Sequence, residues 1–111
     1  MNSQNFTSNI RKMKYQISVK AGQDIENIWL FTKETWSIVQ ADKYYSLIYN
    51  EVEKLAENPL SGRDCSHIRE NYRCSKVKSH YIFYKYQKNE KGIEIIRVLH
   101  QNMDIENRLK E

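Results

Sequence analysis

The chain has 111 residues, with 18 Lys and Arg against 14 Asp and Glu, a formal net charge of +4 and 12% aromatic residues. That length suits one domain, able to remove about two-thirds of its unfolded surface from water. No apolar run reaches the ~18 residues of a membrane span, and the opening MNSQNFTSNIRK lacks the apolar core of a secretory signal. A cytoplasmic protein without a membrane partner is therefore expected.

The cysteines are Cys65 and Cys74, with no CxxC spacing and only His67 close by. In a reducing compartment they are expected to be free thiols, and neither a metal nor another cofactor is implied. Charge is unevenly placed. Lys20 to Glu57 holds four basic and seven acidic residues, a net of −3, whereas Arg63 to Lys85 holds six basic and two acidic, a net of +4. The basic half is either a solvated sheet edge or a face for an acidic partner or nucleic acid.

Residues 1–12 have the composition of a flexible tail, which leaves 13–111 as a single domain. Tyr15, Ile17 and Val19 alternate with polar residues, the pattern of a half-buried strand. From Ala21 the period changes: Ala21, Ile25, Ile28, Trp29, Thr32 and Trp36 fall on one helical face. Asp24 and Glu26 are expected in that helix's first turn, where carboxylates suit the helix dipole. After a break near Ser37, the residues Ile38, Ala41, Tyr45, Ile48, Val52 and Leu55 form a second apolar seam, ended by Asn58-Pro59. The aromatic stripe Trp29, Trp36 and Tyr45 is read as core.

Pro59 to Glu70 is the main loop. Tyr72 to Lys78 is a polar, basic strand candidate near an edge, and YIFYKY from Tyr81 is strongly strand-forming. Asn89 to Gly92 reads as a hairpin turn. Ile93 to Leu99 is apolar on both faces, as a central strand would be, and Asp104 caps a short last helix carrying Ile105 and Leu109. The order is β-α-α-β-β-β-α: an α+β domain whose N-terminal helical hairpin packs on one face of a mostly antiparallel sheet.

Chemistry-bearing residues gather late in the chain. Arg97 and His100 stand three apart at the exit of the last strand and offer contacts to an anion or a partner. Arg97 alternates with Ile95 and Leu99, so its stem is buried and its head either meets an acidic residue or reaches solvent. His100 either contacts a partner or anchors the turn from Asn102 to Asp104. Arg73 is the first choice for a partner contact, Arg63 is read as a clamp on loop carbonyls, and His80 as a turn residue.

The ordered segments AGQDIENIW, QADKYYSLIYNEVEKLAENPLSGR, Tyr72-Arg73, HYIFYKY and IEIIRVLHQNMD resemble the ParE-type toxins of toxin–antitoxin modules, within the wider RelE/ParE superfamily. The resemblance runs from Met13 to about Leu109. It implies a toxin held inactive by a ParD-like antitoxin, whose C-terminal segment wraps it and whose N-terminal part binds operator DNA. The toxin would then meet operator DNA only through the antitoxin. The freed toxin would poison DNA gyrase by binding, with no catalytic residues of its own. Acidic antitoxin residues would meet Arg69, Arg73, Lys76 and Lys78, with Arg97 and His100 as further contacts. RelE-like relatives instead cut messenger RNA on the ribosome. Such an endoribonuclease needs a proton acceptor, an acid and cations on the phosphate, and Arg73, Arg97 and His100 are the candidates for that alternative.

Overall fold

The structure is a computed structural model that describes residues 14–87 and 92–110. The N-terminal tail, 1–12, and most of the expected Asn89–Gly92 turn lie outside the described residues.

The elements follow in the order β1 (Lys14–Ile17), α1 (Val19–Thr35), α2 (Ile38–Glu57), β2 (Arg63–Asp64), β3 (Tyr72–Val77), β4 (His80–Gln87), β5 (Gly92–His100) and α3 (Ile105–Lys110). This is the expected order with one addition, the two-residue β2 inside the main loop. The strands form one sheet in the order β1-β5-β4-β3-β2. β1 runs parallel to β5, and the other pairs are antiparallel.

The first helix starts earlier than its apolar period suggests. Ser18 leaves the strand to become the cap: its Oγ accepts the Ala21 N–H at 3.0 Å and donates to the Ile96 carbonyl at 2.8 Å. Val19 is thus helical and exposed rather than a strand residue. The early start places Asp24 beyond the first turn, where it serves the sheet instead of the helix dipole. Ser37 caps α2 in the same way, accepting the Gln40 N–H at 3.1 Å. Asp104 precedes α3, and its carboxylate accepts the Asn107 N–H at 3.5 Å.

Both faces of the sheet are covered. On one face the hairpin buries Ala21, Ile25, Ile48, Val52 and Leu55 against Val77, Ile82, Tyr84, Ile93, Ile95 and Val98. On the other, Leu109 of α3 joins Cys65, Tyr72, Cys74, Phe83 and Leu99. β5 is buried on both sides, as its unbroken apolar run requires.

The hairpin reaches past the sheet, and there the sequence expectation fails. Trp36 is 72% exposed and Val39 71%, with Phe31, Ile38 and Tyr45 also exposed. Trp29 is half-buried and donates its Nε1–H to Asp42 at 2.9 Å, tying the two helices together. The periodic stripe is real, but among the described residues its distal half is left exposed.

The expected free thiols are also corrected, because Cys65 and Cys74 are joined as a disulfide. Pairing of β2 with β3 sets Arg63 opposite Cys74, and the Cys65 N–H continues the ladder to the Tyr72 carbonyl at 2.8 Å. The two Cα atoms lie 6.1 Å apart, within the range a disulfide spans. Compartment arguments carry no information about that register.

Candidate functional site

The loop between α2 and β2 is held from the sheet by two side chains. Tyr84 donates its hydroxyl proton to the Pro59 carbonyl at 2.7 Å and accepts the Gly62 N–H at 3.0 Å. Arg73 donates through Nη2 to the Leu60 carbonyl at 3.0 Å and the Gly62 carbonyl at 2.6 Å. Burial pushes the Tyr84 phenol above its usual range, against the lowering effect of these same donors. Gly62 is required here, since a Cβ would run into the Tyr84 hydroxyl and stand 3.0 Å from the Cys74 carbonyl. The loop clamp expected of Arg63 is therefore made by Arg73. Arg63 instead lies exposed, with its guanidinium carbon 6.0 Å from the Tyr81 ring centroid.

Arg97 is only 8% exposed, and of the two outcomes expected for its head it takes the pairing with an acidic residue, which removes it from the open surface. Its Nε and Nη2 donate to the two oxygens of Asp24 at 2.8 and 3.0 Å, and its Nη1 to the Arg108 carbonyl at 3.1 Å. Asp24 Oδ2 also accepts the Val98 N–H at 3.0 Å. Past the end of β1, Ser18 and Asp24 thus satisfy the β5 edge that a longer strand would have paired. The alternation of Ile95, Arg97 and Leu99 is broken by an irregularity in the β4–β5 ladder. Phe83 pairs with Arg97 but Tyr84 with Ile95, which sends Ile95 to the hairpin side and Leu99 to the other.

His100 anchors the turn that follows it. Its Nδ1 accepts the Asn102 N–H at 3.0 Å, and its ring meets His80 edge to face with centroids 5.0 Å apart. His80 pairs with His100 across the ladder. The Tyr44 hydroxyl donates to the Val77 carbonyl at 2.9 Å, so the 2.7 Å contact between that hydroxyl and His80 Nδ1 requires the imidazole N–H to donate. Burial lowers His80 to about 4; His100 adds to the drop and Asp24 opposes it. His80 is thus a packed, neutral ring that ties the β3–β4 turn to α2, and that turn carries Lys78 at φ 55°.

Arg73, Arg97 and His100 do not converge. Arg73 pairs with Tyr84, whose side chain lies on the hairpin side, whereas Arg97 pairs with Phe83, which lies on the opposite side. Arg69, Lys76 and Lys78 are exposed along the β2–β3 end of the sheet. Lys76 Nζ stands 5.7 Å from the Tyr81 ring centroid. Between α2 and β3 runs a groove of about 470 Å³ bordered by Leu47, Glu51, Lys54, Lys76 and Lys78. Among the described residues, no group of three or more His, Cys, Asp or Glu is placed to hold a metal ion, and no helix is long and apolar enough to cross a membrane.

Sequence reasoning missed three features: the Arg63–Tyr81–Lys76 cluster, the Asp24 partner of Arg97 and the bare hairpin end. Only the last left a signal, since Trp36, Ile38 and Val39 flank the helix break itself.

A helical hairpin laid on one face of a mostly antiparallel sheet matches the RelE/ParE-like architecture. The chromosomal ParDE toxin–antitoxin system from P. aeruginosa has a chain that superposes with a TM-score of 0.69 at 18% identity, covering 80% of this chain and 96% of that one. The sequence model described as ParE toxin of type II toxin–antitoxin system, parDE, matches residues 15–105. Toxin ParE1 of Mycobacterium tuberculosis is 36% identical over 96 residues, covering 86% of this chain and 97% of that protein. Toxin ParE1 of Caulobacter vibrioides is 34% identical over 90 residues, covering 81% and 91%. The chain belongs to the ParE toxin family of type II toxin–antitoxin systems.

Proposed function

We propose that this toxin arrests growth by binding DNA gyrase in the cytoplasm and is neutralised by a ParD-like antitoxin. In this reading it meets operator DNA only through that antitoxin. The observation that carries the reading is the separation of Arg73, Arg97 and His100. Two of them are consumed in clamping a loop and pairing with Asp24, and the third anchors a turn. Function by binding needs exposed apolar and cationic surface instead. The hairpin end offers Phe31, Trp36, Ile38 and Val39, and the β2–β3 end offers Arg69, Lys76 and Lys78. An acidic antitoxin segment fits the second of these, with apolar anchors supplying most of the affinity, because exposed ion pairs are worth only about 0–1 kcal/mol each. Charge then speeds encounter and selects the partner.

The test uses purified toxin with gyrase and plasmid DNA. Accumulation of gyrase-dependent cleaved DNA is the expected result, and unchanged supercoiling at excess toxin overturns gyrase as the target. Induction in cells, with and without the neighbouring antitoxin gene, tests neutralisation. Cleaved ribosome-bound transcripts after induction would transfer the reading to the RelE-like alternative.

A further inference from the structure

The face of the sheet opposite the hairpin carries a pocket of about 320 Å³ that the loop clamp and the ion pair do not use. Phe83, Ile68, Ile105 and the Cys65–Cys74 pair give it an apolar lining, with Arg63 and Tyr81 alongside. Arg63 and Lys76 both lie about a ring's reach from Tyr81, at 6.0 and 5.7 Å from its centroid. Neither cation is in an ion pair among the described residues. Pairing with β2 stops at Cys74, so no described strand covers the outer edge of β3 from Ser75 to Val77. Lys76 stands at that open edge and also borders the groove against α2 on the other face. Lys76 therefore borders the groove on one face and, across an unpaired strand edge, stands over Tyr81 of the pocket on the other.

The geometry points to this pocket as the receptor for a carboxylate-bearing side chain of an acidic peptide that passes over the open edge of β3. Arg63 of the lining holds the carboxylate with help from Lys76 beyond Tyr81, and the apolar lining takes its methylene stem or an apolar neighbour. The inference rests on the reading that an acidic antitoxin segment wraps the toxin, and it gives that segment a route from one face to the other. A nucleic acid fits less well. Two clustered cations neutralise too few phosphates for appreciable affinity at physiological salt. Asp64 at the rim is held ionised by hydrogen bonds from Ser66 and would meet every passing phosphate. A peptide can place a single carboxylate clear of it.

Fluorescence anisotropy with the full chain tests this, using a labelled peptide of alternating Glu and Leu about ten residues long, with an oligouridylate of about the same length as the competing probe. The peptide is expected to bind, R63Q and K76Q each to weaken it about fivefold, and K43Q on the hairpin to leave it unchanged. Absence of peptide binding, affinity in R63Q and K76Q unchanged from that of the unsubstituted chain, or preferred binding of oligouridylate that the same variants abolish each overturns the assignment. Neutralisation in cells separates the two readings. If the antitoxin rescues growth while the peptide result is negative, only the pocket assignment falls; if rescue fails, the broader partner reading falls as well.

Discussion

The two halves of the helical hairpin carry the same apolar periodicity and meet opposite fates. Near the sheet, Ala21, Ile25, Ile48, Val52 and Leu55 are buried against strands. Toward the turn, Phe31, Trp36, Ile38 and Val39 lie exposed among the described residues. Tyr44 marks the boundary, since its hydroxyl meets Val77 and His80 where the β3–β4 turn ends the sheet. An amphipathic stripe states which side of a helix is apolar. How far the surface beneath it extends is a tertiary property.

Substitutions graded along the hairpin sharpen that contrast. The largest loss is expected at its base: Asp24→Ala strands the buried Arg97 guanidinium and the Val98 N–H, at about 3–5 kcal/mol by urea unfolding. The double variant D24L/R97M should recover part of that loss, because no charge is then left unpaired. Ile48→Ala leaves a cavity between α2 and the sheet, costing about 2–5 kcal/mol in the same measurement. An unchanged midpoint in either single variant would break the claim that the base holds the fold.

At the boundary the effect depends on pH. His80 titrates near 4 when folded, against an ordinary value of 6.5. The unfolded chain therefore binds more protons between those values, and stability falls as pH drops from about 6.5 towards 4. His80→Gln should flatten that part of the stability profile. A profile equally steep in the variant would place the titration elsewhere. The smallest effect belongs to the far end: Trp36→Ser is expected to move stability by no more than about 0.5 kcal/mol. If the hairpin end contacts gyrase, the same variant loses growth arrest while remaining folded.

Much of this architecture was legible in the chain. Alternation revealed the strands, the 3.6 period revealed both helices, and Asn58-Pro59 marked the end of the second. The unread parts depend on relations between elements. Ser18 caps α1 because the last strand supplies a carbonyl for its hydroxyl, a partner 78 residues away. Arg97 found its acidic partner in Asp24 of α1, a pairing that no local pattern names. The loop clamp fell to Arg73 rather than Arg63 because the path of the loop decides which guanidinium finds the carbonyls. Cys65 and Cys74 met through the register of a strand only two residues long. The same physics explains why the site was less readable than the fold. Composition locates cations, but only packing decides which ones remain available to a partner.

The parallel pairing of β1 with β5 joins Lys14 to Gly92, and Asp24 is fastened to Arg97 and Val98 just beyond it. A ribosome delivers the earlier member of each pair long before the later one. Until the final strand clears the exit tunnel, the early helices have no central strand to rest on, and long-range pairing of this kind closes late. Translation halted before β5 therefore yields no folded toxin, and a cell is exposed only to chains that were completed.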